Sequence, residues 1–410
     1  MSFSLRQRVF FVAALLSASG IALARPYAGI SGLAASADSA TTAGTNPAGM
    51  ARFDAPAMRG ELVLVYSEST WEGSLGETER DVTSEEDTTI AVPSGYLVRP
   101  INEDWAFGFT ILGFGYSDEF GDWPGRYFIE SYDSVSVSAF PSLSYRINDQ
   151  WSVAGSLALN YSSFEQTRAI ANVFDPGFGD GSSELETDGL DVGFGLSTLY
   201  QLSDRTRFGL VYTSELDPTQ DGEAKFRGLG PNTEKVLDEA GFLGADVEVK
   251  STTPQSVVAG LYHEFENDHS VVFDVAWSDF SEFELSEYYF DGEGLSAHEA
   301  TWQDIWAFSG AYTWPVSDRW MLSAGGVYVS DSVEDDDRIF LLRLDSMWGV
   351  AFAAEWQWRE DRLLEMNLSY LTIGDAPVES PSVPVFGSVS GEYSQRDILI
   401  FRLALNLGAL

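Results

Sequence analysis

From Arg59 onward, large apolar residues alternate with small or polar ones, the period-two pattern of strands with one face in an apolar medium. The segment from Trp151 is the clearest: Trp151, Val153, Leu157, Leu159 and Tyr161 alternate with Ser152, Ala154, Ser156, Ala158 and Asn160. A soluble sandwich alternates too, so the discriminating feature is where the aromatic residues fall. Trp151 and Tyr161 are separated by roughly 33 Å of strand, or about 25 Å of height at a tilt of about 40°, which matches an apolar band between two aromatic girdles. Trp348 and Trp358 repeat the interval, with Val350, Phe352 and Ala354 on their face and Gly349, Ala351, Ala353, Glu355 and Gln357 on the other.

Along the whole chain the pattern predicts fourteen strands, at 59–70, 88–99, 104–115, 133–147, 150–166, 187–202, 204–215, 246–264, 268–280, 302–315, 318–330, 345–358, 361–373 and 391–409. Their connections alternate between short ones (Asn148 and Asp149, Ser203, Val316 and Ser317, Glu360) and long ones such as 216–245 and 281–301. Short periplasmic turns and long external loops are the habit of outer-membrane proteins. The predicted fold is therefore all-β, a transmembrane antiparallel β-barrel of about fourteen strands. Pro93, Pro141 and Pro254 fall inside these strands, although a closed barrel has no edge at which a missing donor is harmless. They read as bulges, kinks or misplaced boundaries.

Ahead of the strands, Arg6 and Arg8 precede an apolar run from Val9 to Leu16 and a segment ending Ala22-Leu23-Ala24. This is the order of a secretory signal peptide, with cleavage expected between Ala24 and Arg25, and its apolar run is too short to span a bilayer. Residues 25–57 are rich in Ala, Gly, Ser and Thr without alternation and hold two helix-start signals, Asp38 and the pair Asn46-Pro47. A small helical unit without an apolar face of its own needs a host. The barrel lumen supplies one, and a periplasmic tail is the other reading. The expected plan is thus signal peptide 1–24, helical hatch 25–57 and barrel 58–410.

Composition narrows the partners. The 410 residues include 63 acidic and 23 basic side chains, and loss of Arg6 and Arg8 with the signal takes the net charge from −40 to −42. Such a surface repels nucleic acid, so none is expected. The 12 Trp, 17 Tyr and 27 Phe exclude disorder as the meaning of that acidity. Without cysteine there is no disulfide, thiolate nucleophile or Cys-ligated metal. No run of about 18 apolar residues follows the signal, which leaves a soluble β protein or a closed barrel.

Candidate chemistry is sparse. His263 and His269 flank a periplasmic turn and His298 lies in an external loop, so they do not converge on a serine and no catalytic residue is expected. The clusters Glu85-Glu86-Asp87 and Glu334-Asp335-Asp336-Asp337 lack EF-hand spacing, and solvated acidic loops are expected rather than a metal site. All three lysines, Lys225, Lys235 and Lys250, lie in or beside the longest loop together with Arg227. Phe226, Leu229, Val236, Leu237, Phe242 and Leu243 are apolar there, and Thr233 to Ala240 reads as a short amphipathic helix. A greasy surface edged by cations suits the mouth of a fatty-acid path; ordinary loop packing with its own ion pairs is the other reading. Lumen positions are small (Ser136, Ser138, Ser142, Ser144, Ala154, Ser156, Ala158, Gly193, Gly195, Ser197) and basic lumen candidates are few, chiefly Arg146, Arg207 and Arg402.

The stretch Ala37-Asp38-Ser39-Ala40-Thr41 through Asn46-Pro47-Ala48-Gly49-Met50 resembles the N-terminal signature of the FadL/TodX family of outer-membrane transporters for long-chain fatty acids and aromatic hydrocarbons. Trp123-Pro124-Gly125-Arg126-Tyr127, Pro141 to Asp149 and Phe208 to Ser214 agree in order. The resemblance implies a hatch-plugged barrel, in which Asp38, Asn46, Pro47 and Ala48 belong to the hatch, with a hydrophobic groove between long loops. It also implies a kinked third strand, at Gly113-Phe114-Gly115, that opens the wall sideways. Sideways release has an energetic motive: each CH₂ moved into water costs roughly 0.8 kcal/mol, so freeing a sixteen-carbon chain into the periplasm costs on the order of 12 kcal/mol. Two departures stand out, a last strand ending Leu405 to Leu410 without a terminal aromatic and unusually acidic loops.

The expected function is passive uptake of a hydrophobic small molecule, with long-chain fatty acids first, by a non-enzymatic monomer. Outer-membrane lipid and lipopolysaccharide are its expected neighbours, and it needs no cofactor or metal. A porin for polar solutes and, less favoured, an outer-membrane hydrolase stay open as alternatives.

Overall fold

The computed structural model describes residues 31–75, 79–119, 126–127, 130–283, 287–290, 293–295, 302–334, 345–359, 361–383 and 387–408. The signal segment, Trp123 to Gly125, His298, Asp335 to Asp337 and the side chains of Glu85, Glu86 and Asp87 lie outside that description. The first strands are β1 (Ala57–Leu75), β2 (Glu79–Pro100), β3 (Trp105–Glu119), β4 (Ser131–Arg146), β5 (Trp151–Ile170), β6 (Gly181–Ser203) and β7 (Thr206–Thr213). Next come β8 (Thr219–Arg227), β9 (Asp246–Lys250), β10 (Ser256–Glu264), β11 (Ser270–Ser278), β12 (Glu287–Phe290) and β13 (Glu293–Leu295). The remainder are β14 (Ile305–Ser317), β15 (Trp320–Val329), β16 (Met347–Arg359), β17 (Arg362–Ile373), β18 (Ala376–Val383) and β19 (Gly387–Gly408).

Fourteen of these, β1–β7, β10, β11, β14–β17 and β19, form one antiparallel ring that closes where β1 pairs with both β2 and β19. Closure satisfies the backbone within the sheet, the condition for crossing a bilayer with strands. The alternation fixes the faces. Trp151, Leu157, Leu159 and Tyr161 point outward, whereas Ser152, Ala154 and Ala158 are buried inside. Trp348, Val350 and Phe352 are exposed between buried Ala351 and Ala353. Trp320 and Trp356 stack at 5.7 Å near one short turn, and Trp348 meets Tyr370 at 6.4 Å toward the opposite rim. These are the two girdles that the ten-residue interval predicts.

Differences from the predicted strands follow from what alternation cannot see. β2 begins at Glu79 and β6 at Gly181, because their outer ends leave the bilayer and carry polar residues on both faces. The stretch predicted as one strand at 246–264 is two, β9 and β10, parted where Pro254 lacks a donor. Pro141 lies within β4, where the ladder to β5 skips Phe140 and Pro141 and resumes in the same register. Five short strands, β8, β9, β12, β13 and β18, belong to the external loops; β8 pairs with the outer half of β6 and carries β9 and β12 beyond it.

Before the strands, helix α1 (Thr42–Thr45) and a 3₁₀ turn, Pro47–Arg52, lie inside the barrel against β2–β6. The loop helix, α2 (Pro231–Glu239), starts two residues before the predicted Thr233 because Pro231 occupies its first turn. No helix among the described residues is long and apolar enough to cross a membrane.

Candidate functional site

The hatch is built on small polar contacts. Asn46 is buried, and its Oδ1 accepts from Ala48 N at 3.1 Å, which caps the turn that Pro47 opens. Its Nδ2 donates to Ala34 O at 2.6 Å and to Thr198 O on β6 at 3.2 Å. Ser152 Oγ donates to Ala48 O at 2.8 Å, and Ala48 N donates to Ser197 Oγ at 3.1 Å. Of the small lumen residues read from the sequence, Ser142 and Ser197 bond to the hatch, whereas Ser136 and Ser138 bond to Asn160 on β5; Gly108, where an added Cβ would run into Met50, leaves room for it. Asp38 departs from its reading as a helix start. Helix α1 begins at Thr42 after an N-cap without a side-chain bond, and the Asp38 carboxylate instead takes two 2.9 Å hydrogen bonds from Arg207.

The basic lumen candidates are all engaged. Arg207 holds Asp38, Arg146 donates to Ala51 O, and Arg402 Nε is 3.5 Å from Glu61. Arg59, which sequence reasoning passed over, bridges Glu61 at 2.6 Å and Glu365 at 2.5 Å with all three side chains fully buried. Buried charges persist only when paired. These are neutralised pairs rather than the opposed rows of a polar channel.

At the outer end the cation cluster is also paired. Lys225 meets Glu186 at 3.2 Å, Arg227 meets Glu184 at 2.9 Å, Lys235 meets Glu239 at 3.6 Å and Lys250 meets Glu248 at 2.7 Å. Glu186, first by its hydrogen bond and then by its charge, raises the Lys225 ammonium above its ordinary range. Lys225 and Arg227 lie on the exposed face of β8, back to back with Phe226, which shares the other face with Ala224 and, across the ladder, Leu185. Phe242 packs on a buried group of Leu185, Ala245, Val247 and Val249; Leu229, Leu237 and Leu243 are half-buried, and Val236 is exposed. On β8, apolar residues and cations therefore occupy opposite faces. The loop is stitched from the side: Asp175 accepts from Thr233 N at 2.8 Å and Asn232 N at 3.0 Å, capping α2. Desolvation works to raise the Asp175 carboxyl, yet these backbone donors hold it below the ordinary carboxylate range.

Arg168 was missed. It alternates with Phe164 and Gln166 on the inner face of β5, half-buried and opposite Ser183, which in turn faces Phe226. Among the described residues no ion pair involves it. Arg168 shares the parity of the lumen-facing Ala154, Ser156 and Ala158, but the predicted strand stops at 166 and β5 runs to Ile170. The surroundings are apolar: Phe164 packs on the loop cluster above and on the lumen core below, stacked with Tyr132 at 5.9 Å.

The wall itself is interrupted. The ladder between β2 and β3 runs from Pro100↔Ala106 to Ser94↔Leu112 and stops, although β2 continues along β1 and β3 continues along β4 as far as Glu119. The break opens at Pro93, which has no N–H to donate, and at Gly113, whose added Cβ would meet Pro93 Cγ at 3.5 Å. At Gly115 an added Cβ would meet nothing within 4 Å. Leu112 and Phe114 pack against the lumen core, so the two glycines alternate with them on the outer surface.

A sequence profile described as "Outer membrane protein transport protein (OMPP1/FadL/TodX)" matches residues 9–400. The chain belongs to this family. Curated FadL/TodX relatives include the long-chain fatty acid transport protein of Escherichia coli CFT073, 24% identical over 385 residues (87% of this chain and 85% of that one). Its counterpart in strain K12 is 21% identical over 394 residues, covering 87% and 86%. Among solved structures, a Pseudomonas aeruginosa FadL homologue superimposes with a TM-score of 0.80 at 17% identity, covering 99% of this chain and 100% of that one. The Pseudomonas putida toluene transporter TodX gives 0.62 at 15% identity, covering 99% of each chain. Like the other members of the FadL/TodX family, this protein is an outer-membrane β-barrel for transport. The same fold thus serves relatives named for fatty acids and for toluene, and the cargo of this chain must be argued from its own residues.

Proposed function

We propose that this protein passes a hydrophobic molecule with one polar end, a long-chain fatty acid in first place, through the outer membrane without an energy source. The observation that carries this reading is an apolar inner face that runs without interruption from the loop cluster of Leu185, Val247 and Val249 over Phe164 and Tyr132 to the lumen core. It ends at Phe114, beside the break between β2 and β3. Cargo enters along that face, rests above the hatch and leaves sideways into lipid, so that its methylenes never meet bulk water. Arg168, on the same face and without an ion pair among the described residues, favours an anionic end over a neutral hydrocarbon.

Identification of ligand co-purified in mild detergent tests the cargo directly: fatty acid is expected, and exclusively neutral hydrocarbon would overturn the choice. Planar-bilayer recording tests the mode. A nearly closed barrel is expected, whereas large steady currents would indicate the porin alternative. The paired cations of the loop lead to a third result. Exposed ion pairs contribute about 0–1 kcal/mol, so replacing Lys225, Arg227 and Lys235 together by Gln should change fatty-acid affinity by no more than about fivefold. A larger loss by fluorescent fatty-acid titration would return the carboxylate to that cluster.

A further inference from the structure

The hatch divides at Ala37, a non-glycine residue with φ of +47°, where left-handed backbone is uncommon and marks a sharp change of direction. Before it lies an arm, Ser31 to Ser36, that rests directly on the barrel backbone. Gly209 and Gly260 face each other across β7 and β10, and Gly260 faces Asp274 on β11. A Cβ at Gly209 would lie 1.8 Å from Ala34 O, and one at Gly260 would lie 2.4 Å from Asp274 Oδ1. The glycines make a slot, and two ionised side chains close it. Asp274, itself buried, accepts from Gly32 N at 2.5 Å, Leu33 N at 3.2 Å and Ala34 N at 3.2 Å. Arg207 donates from Nε to Ala35 O at 3.0 Å and from Nη2 to Ser36 O, with its guanidinium 3.7 Å over the Tyr262 ring.

Just past Ala37 the same Arg207 also holds the Asp38 carboxylate at 2.9 Å, and beyond Asp38 the holding is different. The helical part rests on β4–β6 through neutral donors and acceptors, Ser142 to Ala43 O at 3.3 Å besides the Ser152, Ser197 and Asn46 bonds. Charged contacts return at its far end, with Arg146 on Ala51 O and Arg52 on Gln201. Charge-assisted hydrogen bonds are roughly twice as strong as neutral ones, so the two halves of the hatch are not held alike.

We propose that Asp274 is the anchor of the hatch: it pins Gly32 to Ala34 into the glycine slot, so that movement is confined to the helical part beside the break and the lumen stays shut to ions. The proposal rests on the reading of the hatch as the gate of a hydrophobic path, but its first test needs no ligand. Asp274→Asn keeps the size and replaces one accepting oxygen by an NH₂ that faces the arm's own N–H groups. Steady conductance in planar bilayers should rise about tenfold or more, the population shift that a lost charge-assisted contact of about 1.4 kcal/mol gives. Heat-modifiable mobility should stay that of a folded barrel. Gly209→Ala, which alters no charge and drives a methyl into Ala34 O, should leak in the same way and covers the case in which the Asn variant does not assemble. Wild-type conductance in the folded variants, with only a lowered melting temperature, would reduce Asp274 to a structural role and overturn the anchor.

The moving half has its own test, made clean by the absence of cysteine from the sequence. A Cβ on Gly44 would lie 3.4 Å from Thr110 Cβ, close to the span of a disulfide. Gly44→Cys with Thr110→Cys should lose uptake when oxidised and recover it with reductant. Uptake that continues in the oxidised form would mean that the helical part does not move, and would overturn the division. Failure of the fatty-acid reading would instead show as unchanged conductance behaviour with a different cargo.

Discussion

Replacing Gly113 and Gly115 together by Val is expected to leave a folded barrel that binds ligand and does not take it up. Neither glycine has a positive φ, so valine finds a backbone that it favours in strands. Its methyls at 115 enter open space and at 113 touch Pro93 at ordinary van der Waals distance. Both added side chains lie on the outer surface, on the lip of the break between β2 and β3. They fill the passage that the proposed route needs without disturbing Phe114 or the lumen core. Cellular uptake should fall to the level of a deletion strain, while heat-modifiable mobility and detergent-solubilised binding stay at wild-type values. Wild-type uptake with confirmed folding would remove this break from the route. β3 runs on past these glycines to Glu119 in register with β4.

Arg168→Gln carries the second large effect. A hydrogen bond to an ionised partner contributes about 1.5–3 kcal/mol, so fatty-acid affinity should fall by roughly 10- to 150-fold. Binding of an uncharged compound of similar length, a long-chain alkane or methyl ester, should not change. Arg168→Lys keeps the charge without the planar fork and should fall between the two. Equal loss for acid and ester would point to a packing defect, and no loss for either would take the carboxylate away from Arg168 and favour a hydrocarbon cargo.

How far the sequence led depends on distance along the chain. The strands and girdles were legible because period-two burial is a local property, and Asn46-Pro47 was legible because a cap and its first turn are adjacent. The Lys225 group was visible as a cluster, but its partners Glu184 and Glu186 are about forty positions upstream on β6, and only the β6–β8 register shows that the cations turn away from Phe226. Asp274 was invisible for the same reason at greater range: it meets Gly32 across 242 residues, and an Asp between two valine-rich stretches carries no local sign of what it will hold. Arg168 shares the parity of the small lumen residues, but the predicted strand stops at 166, and it took the extension of β5 to Ile170 to place it on the inner face.

The unfinished ladder between β2 and β3 also fixes where water must be. Ile90 to Pro93 and Gly113 to Tyr116 stand opposite each other in the continued register with no ladder pairing between them, and peptide groups left bare in hydrocarbon cost several kcal/mol each. Gly113 stands eight residues along β3 from the girdle residue Trp105, roughly 20 Å of height at the usual strand tilt. The slit therefore begins near the outer boundary of the hydrocarbon, where headgroups and hydration can reach its edges, and not at mid-membrane. Its rim is wet and its throat, at Phe114, is greasy. Cargo that passes sideways there arrives in the outward-facing leaflet, so its onward journey across the bilayer's midplane is left to the lipid rather than to the protein.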